Sequence, residues 1–251
     1  MDIDHSKIPS KIVFYNRGVL RKGLSCWTMI IAITALQAQT GKTPDGLTSI
    51  FNGKDLSGWH ISKTNHHGTT GNFSIKDGSL VMKQHPFGRG GILLTDKKYG
   101  DFELYLEFKG ENGTNGGIFF RSNESGSAYQ IEISGDGGKG TGNLIGEMLH
   151  TTTTADATDL ERVWNEDGWN SFRLRVVGEK PHITLWVNGV QMWDVQAERN
   201  DLIADATEGM IALQLHWSQS VSPVPGGDCC DYSWKPGAAH AYRNIAIKEI
   251  K

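Results

Sequence analysis

Cysteine is nearly absent: the 251 residues contain three, Cys26, Cys229 and Cys230. The last two are neighbours, and adjacent cysteines bridge only by distorting the peptide between them, so no ordinary disulfide framework is available. A zinc site built on that pair needs two further soft ligands nearby, which the surrounding sequence does not supply. An excess of basic charge is missing too. Formal net charge is −3, and the first 38 residues hold five Lys/Arg against two Asp/Glu, leaving 20 basic and 26 acidic side chains (net −6) beyond them. Such a chain has no general attraction for phosphate backbones or anionic lipid, so no nucleic-acid partner is expected. There is no G-x-S-x-G, hence no nucleophile elbow, and no P-loop or G-x-G-x-x-G after a strand. Self-similarity at about 20–50 residues is absent, which disfavours a propeller or solenoid. Helical periodicity never runs beyond about ten residues. LERVWNEDGW (160–169) holds at most a short helix or a single turn.

Long apolar runs are equally scarce. The one candidate, LSCWTMIIAITAL (24–36), follows the basic stretch RGVLRKG (17–23) and precedes QAQT. It is too short for a comfortable membrane span, and basic flank, apolar centre and small-residue exit together predict a secretory leader over residues 1–38, cleaved near Ala38. Cys26 precedes most of the apolar run, which argues against a lipidated cysteine. The expected product is exported to the periplasm or beyond, with no membrane span after the leader is removed.

Glycine, by contrast, is abundant: 31 residues against seven prolines. This proportion suits many tight turns. FSIKDGSLVM (73–82) reads strand, Asp-Gly turn, strand, a strong hairpin signal. DFELYLEFKG (101–110) alternates Phe102, Leu104, Leu106 and Phe108 against Glu103, Tyr105, Glu107 and Lys109. NSFRLRVVGEKPHITLWVNGVQMWDV (170–195) holds three strand candidates, and GMIALQLHW (209–217) and AYRNIAIKEI (241–250) complete the series. Many short strands with regular turns and little helix predict one all-β domain over 45–251, a two-sheet antiparallel β-sandwich of jelly-roll type. Residues 60–72, 135–168 and 218–240 form long polar loops, the usual carriers of function. Glycine-rich GDGGKGTGN (135–143) lacks the following helix of a phosphate cradle and reads as a flexible loop.

Strand alternation sorts the candidate functional residues by face. In YQIEIS, Gln130, Glu132 and Ser134 oppose Tyr129, Ile131 and Ile133; in ALQLHW, Gln214 and His216 oppose Leu213, Leu215 and Trp217. Arg173 and Arg175 oppose Phe172, Leu174 and Val176, and Trp186 lies opposite Leu185 and Val187. Amides, carboxylates and guanidinium groups bond vicinal hydroxyls, and aromatic rings cover the C–H face of a pyranose, so this polar set suits sugar recognition. A solvated face laced by cross-strand ion pairs would look similar. His60, His66, His67 and His85 gather in two loops. With no HxH or HExxH spacing they read as bystanders, and no metal is assigned to them. His150 closes the segment GEMLH with Glu147 three residues earlier, and a strand or irregular run could present either one.

LTSIFNGKDLSGWH (47–60), KDGSLVM (76–82), GILLTDKKYGDFELYLEF (91–108), NGGIFFRS (115–122), YQIEI (129–133), GWNSFRL (168–174), ITLWVNGV (183–190) and YRNIAIKEI (242–250) together resemble the 3-keto-disaccharide hydrolase family. The resemblance implies a concanavalin A-like lectin/glucanase jelly roll with carbohydrate on its concave sheet. Where many members read Y-E-x-Q-x-x-D, this chain has Tyr129-Gln130-Ile131-Glu132-Ile133-Ser134-Gly135. The acid and amide are exchanged, and only Asp136 stands near the final aspartate. The implied chemistry is cleavage of a 3-oxidised di- or oligosaccharide by elimination and hydration, without a cofactor, on a substrate supplied by a sugar oxidoreductase. Glu132 and His216 are the expected acid and base in either order, with Arg121 polarising the ketone. Gln130, Gln214, Arg243, His150 and Trp186 are expected to bind substrate. Arg121 and Arg243 can equally form structural ion pairs with Asp101 or Glu107. The alternative function is a carbohydrate-binding module without catalysis; a structural or adhesion jelly roll is the third.

Overall fold

Alternating apolar residues build two layers. In a computed structural model that describes residues 43–138, 140–218 and 234–251, they form fourteen strands among the described residues: β1 (Thr48–Ser49), β2 (Trp59–Ile61), β3 (Asn72–Lys76), β4 (Ser79–Lys83), β5 (Gly91–Tyr99), β6 (Phe102–Gly110), β7 (Asn115–Ser122), β8 (Ala128–Ser134), β9 (Leu144–Glu147), β10 (Asn170–Val177), β11 (His182–Val187), β12 (Val190–Gln196), β13 (Gly209–Leu215) and β14 (His240–Glu249). One sheet runs β12-β11-β10-β6-β14-β4-β3 with β1 added on β14; the other runs β2-β5-β13-β7-β8-β9. Every pairing is antiparallel. The described residues contain two short 3₁₀ turns, Leu160–Arg162 and Ile203–Asp205, the first inside the segment that predicted a single turn. No helix among them is long and apolar enough to cross a membrane. The expected leader and the Cys229–Cys230 pair lie outside the described residues.

The hairpin between β3 and β4 closes on Asp77 (φ 50°) and Gly78 (φ 76°), and that between β11 and β12 on Asn188 (φ 50°) and Gly189 (φ 81°). Both have the two successive positive φ values of a type I′ turn, which matches the natural twist of the flanking strands. The predicted inward residues meet in one core. Phe102, Leu104, Leu106 and Phe108 from β6 face Ile118, Phe120, Tyr129, Ile131 and Ile133 from β7 and β8.

The outer side of the six-stranded sheet is not a wet face. Ile92, Leu94, Phe119, Ala128, Met210 and Ala212 form a second buried cluster there. Loops 62–71 and 123–127 are tied together near it by Ser62 Oγ donating to the Glu124 carbonyl at 2.7 Å.

One core residue is polar without compensation. His240 lies between Phe108, Trp234 and Tyr242, with ring centroids at 5.6, 5.0 and 5.4 Å, and neither ring nitrogen has a hydrogen-bond partner. Burial lowers its pKa from 6.5 to about 3. The unfolded chain therefore takes up this proton below pH 6.5 while the folded chain refuses it until near pH 3. The stability is complete above 6.5 and declines by roughly 1.4 kcal/mol per pH unit as pH falls through that window. Urea unfolding at about pH 7 and about pH 4.5 is expected to show a loss of stability that is about 2–3 kcal/mol smaller in His240→Phe than in the parent. An identical loss in both chains would exclude His240 as its source.

Candidate active site

The site lies on the outer face of the six-stranded sheet, where register brings three strands side by side. Gln214 on β13 pairs with Gly117 on β7, and Gly117 pairs with Glu132 on β8. Gln214 and Glu132 thus flank a residue with no side chain, two strand spacings or about 10 Å apart at their Cα atoms. A Cβ at 117 would sit 2.5 Å from Gln130 Nε2, so the Gln130 side chain would have to move to admit one. One step along, the His216 backbone N–H donates to the Asn115 carbonyl at 3.2 Å, and Asn115 pairs with Ser134. Gln214, Glu132 and His216 thus surround the side-chain-free position of Gly117, with Gln130 beside it, and this ground is the candidate hollow.

These groups differ in their environment. Glu132 is partly buried, its carboxyl has no hydrogen bond from any described residue, and desolvation raises its pKa above 4.5. The turn at Gly140 passes close by: a Cβ there would lie 2.8 Å from Glu132 Oε2. Gln130 is buried and donates through Nε2 to Gln214 Oε1 at 3.3 Å, leaving its own Oε1 unpartnered. Gln214 Nε2 is 2.9 Å from His67 Nε2. His216 Nδ1 lies 2.6 Å from the Trp217 carbonyl. A carbonyl can only accept, so Nδ1 carries the proton, and in the neutral ring Nε2 presents a lone pair. Burial, reinforced by the charge of His67, lowers the His216 pKa to about 4.

Beside the hollow stands a cluster that sequence reasoning missed. His66 Nε2 and His67 Nε2 approach the same Glu147 oxygen, at 3.3 and 3.4 Å. The two rings lie 3.9 Å apart, and His67 lies edge-on to His216 at 4.9 Å. Burial pushes the Glu147 carboxyl up, but the hydrogen bond and charge of His67, with His66 and His216, outweigh it and lower the net value. Burial and the neighbouring His67 lower His66. No short motif announces this grouping, because Glu147 ends β9, far along the chain from the loop that holds both histidines. His60 is engaged elsewhere, with Asp96 at 2.7 Å and Glu124 at 3.0 Å.

Four expected members are not brought to this hollow. Arg121 sits where the β13–β7 register shifts, with φ 52°, and the bulge re-aims its side chain. Its buried guanidinium donates to Asp101 Oδ1 at 3.0 Å and to the Gly100 carbonyl at 3.1 Å. Arg243 belongs to β14 in the other sheet, paired with Glu107 at 2.6 Å and lying over the Trp169 ring at 4.1 Å. Trp186 is also in that sheet, with Arg173 5.3 Å from its ring. Both arginines take the structural ion-pair option, and for Arg243 and Trp186 the local sequence could not say which sheet would own them. His150 is exposed, three residues beyond β9, within electrostatic reach of Asp201.

Two antiparallel sheets packed over one core, with polar groups recessed in the outer face of one sheet, define a jelly roll of the concanavalin A-like glucanase type. The fold resembles β-glucanase of Bacillus licheniformis (TM-score 0.53, 14% identity, covering 85% of this chain and 100% of that one). It also resembles a candidate glycosyl hydrolase of Parabacteroides distasonis (TM-score 0.52, 18% identity, 82% and 94% covered). More particularly, residues 46–248 match the 3-keto-alpha-glucoside-1,2-lyase-like domain, and the chain belongs to that family of glycosyl hydrolase-like jelly-roll proteins. A curated relative, the 3-keto-disaccharide hydrolase of Bacteroides thetaiotaomicron, is 32% identical over 85 residues, 32% of this chain. The match spans only 29% of that protein's length.

Proposed function

We propose that the protein cleaves glycosides whose sugar is oxidised at C3, with Glu132 as proton donor and His216 as base. The observation that carries this reading is the Glu132 carboxyl, desolvated and without a partner among the described residues, beside the side-chain-free position of Gly117. A carboxyl whose pKa is raised keeps its proton to higher pH than an exposed one, which suits protonation of a leaving oxygen. The His216 Nε2 lone pair, fixed by the bond from Nδ1, suits removal of a carbon-bound proton. A C3 ketone acidifies the C2 proton. Removal of that proton forms the C1=C2 double bond as the C1–O bond breaks, and the departing oxygen takes a proton from Glu132. Water then adds across C1=C2, so the net change is hydrolysis. Gln130 and Gln214 supply amides for the sugar hydroxyls. Family membership and the partial relative favour the same substrate class. Such a substrate must come from a sugar oxidoreductase, and the leader read over residues 1–38 makes an exported setting part of the proposal.

The test offers the purified protein a 3-oxidised disaccharide beside its unoxidised parent. Monosaccharide release from the oxidised sugar alone is expected. Cleavage of the parent alone would replace this reading with an ordinary glycosidase. Inertness toward both, with saturable binding, would replace it with a binding module.

A further inference from the structure

We propose that His66, His67 and Glu147 bind a divalent first-row transition-metal ion, of which zinc is representative. Ligand chemistry and geometry carry the inference. One nitrogen from each histidine and one carboxylate oxygen lie within 4.8 Å of one another. Both nitrogen–oxygen separations, 3.3 and 3.4 Å, are longer than the about 2.7–3.2 Å of a good N–H···O bond. Two ligands on one ion at about 2.0–2.2 Å each are separated by about 3.0–3.5 Å across tetrahedral to octahedral angles. These two nitrogen–oxygen separations fit ligands around a shared ion better than direct bonds.

Gln214 Nε2 lies 2.9 Å from His67 Nε2; that nitrogen has a single in-plane lone pair, so an ion bound there takes the place of the amide contact. Two imidazoles and one carboxylate form a borderline donor set suited to zinc or a neighbouring ion, and three protein ligands leave coordination positions open. The His67 side chain is fully enclosed, whereas that of His66 is 39% exposed, so the site has a solvent side. The role of the ion rests on the glycoside reading: next to Gln214 and His216, it would polarise the sugar oxygen that Arg121 is too far removed to reach. Metal binding itself is independent of that reading.

The test uses untagged full-length protein stripped with chelator, then titrated with Zn²⁺ and, separately, Co²⁺. The comparison is a His66→Ala/Glu147→Gln double variant whose fold is checked by circular dichroism. We expect one more zinc per chain in the parent than in the variant, an affinity at least about 10–100-fold higher, and visible Co²⁺ absorption bands that the variant lacks. Equal zinc stoichiometry and affinity in the two chains, or no zinc bound by the parent, would overturn the site. A parent that binds zinc yet turns over no oxidised sugar would retain the metal site and remove the catalytic reading; turnover without zinc uptake would do the reverse.

Discussion

Glu132→Gln is expected to lower kcat toward a 3-oxidised disaccharide by about 10²–10⁴-fold, the usual worth of a positioned general acid, with little change in KM. Glutamine matches the carboxyl in shape and hydrogen-bonding reach but cannot release a proton to the departing oxygen. The substrate decides whether this is the reason. A 3-oxidised glycoside with an aryl leaving group of low basicity needs no proton, so the variant should recover to within about tenfold of the parent on it. Equal losses on both substrates would show that Glu132 acts at another step. The pH profile gives a second readout. Burial raises the Glu132 pKa, so the active protonated form is present at low pH and disappears as pH rises through that raised value. The parent should show this alkaline decline, and the glutamine variant should lose it.

Asp101→Ala should be strongly destabilising while leaving turnover per folded molecule intact. The Arg121 side chain is fully buried, its Nη1 has no partner, and its charge is answered by Asp101 at 3.0 Å. Removing one member of a buried pair strands the other, at a cost of about 3–5 kcal/mol. Asp101 is itself 35% exposed, which places the expected loss near about 3 kcal/mol, or about 6–12 °C in Tm for a domain of this size. Asp101 also accepts from the Gly178 backbone N–H at 2.9 Å, so the turn at Gly178 loosens as well. In an Arg121→Met background no charge is left stranded, and adding Asp101→Ala should cost much less. Thermal denaturation of the four chains of this cycle measures the difference. A full loss in both backgrounds would show that the turn, not the guanidinium, needs Asp101.

These variants separate two kinds of polar residue that look alike in the sequence. Arg121 and Glu132 are both charged residues in strands of the same sheet, and both are largely removed from solvent. Glu132 has no partner among the described residues, so its burial shifts its protonation; Arg121 has one, so its burial holds two strand ends and a turn together. Chemistry is available only to the first.

Much of the hollow was legible from alternation. Tyr129, Ile131 and Ile133 had to face the core, so Gln130 and Glu132 had to face away from it. The same reasoning set Gln214 and His216 opposite Leu213 and Leu215. The Asp77-Gly78 and Asn188-Gly189 turns were legible too, because few residues accept two successive positive φ values. Alternation failed at Arg121, where a register shift and a positive φ at a non-glycine residue break the period. It also could not see His66, His67 and Glu147 as one group, since nothing local links a loop between β2 and β3 to the end of β9.

By itself, then, the amino-acid order determined which side chains pair with hydrocarbon and which do not, since a strand's pleat assigns faces residue by residue. It determined the sharp turns for the same local reason. Tertiary structure alone decided which strands became neighbours, and so which polar groups share a hollow, which are tied up as ion pairs in the opposite sheet, and which imidazoles meet a carboxylate. Those choices depend on pairing between segments distant along the chain, where no periodicity reaches.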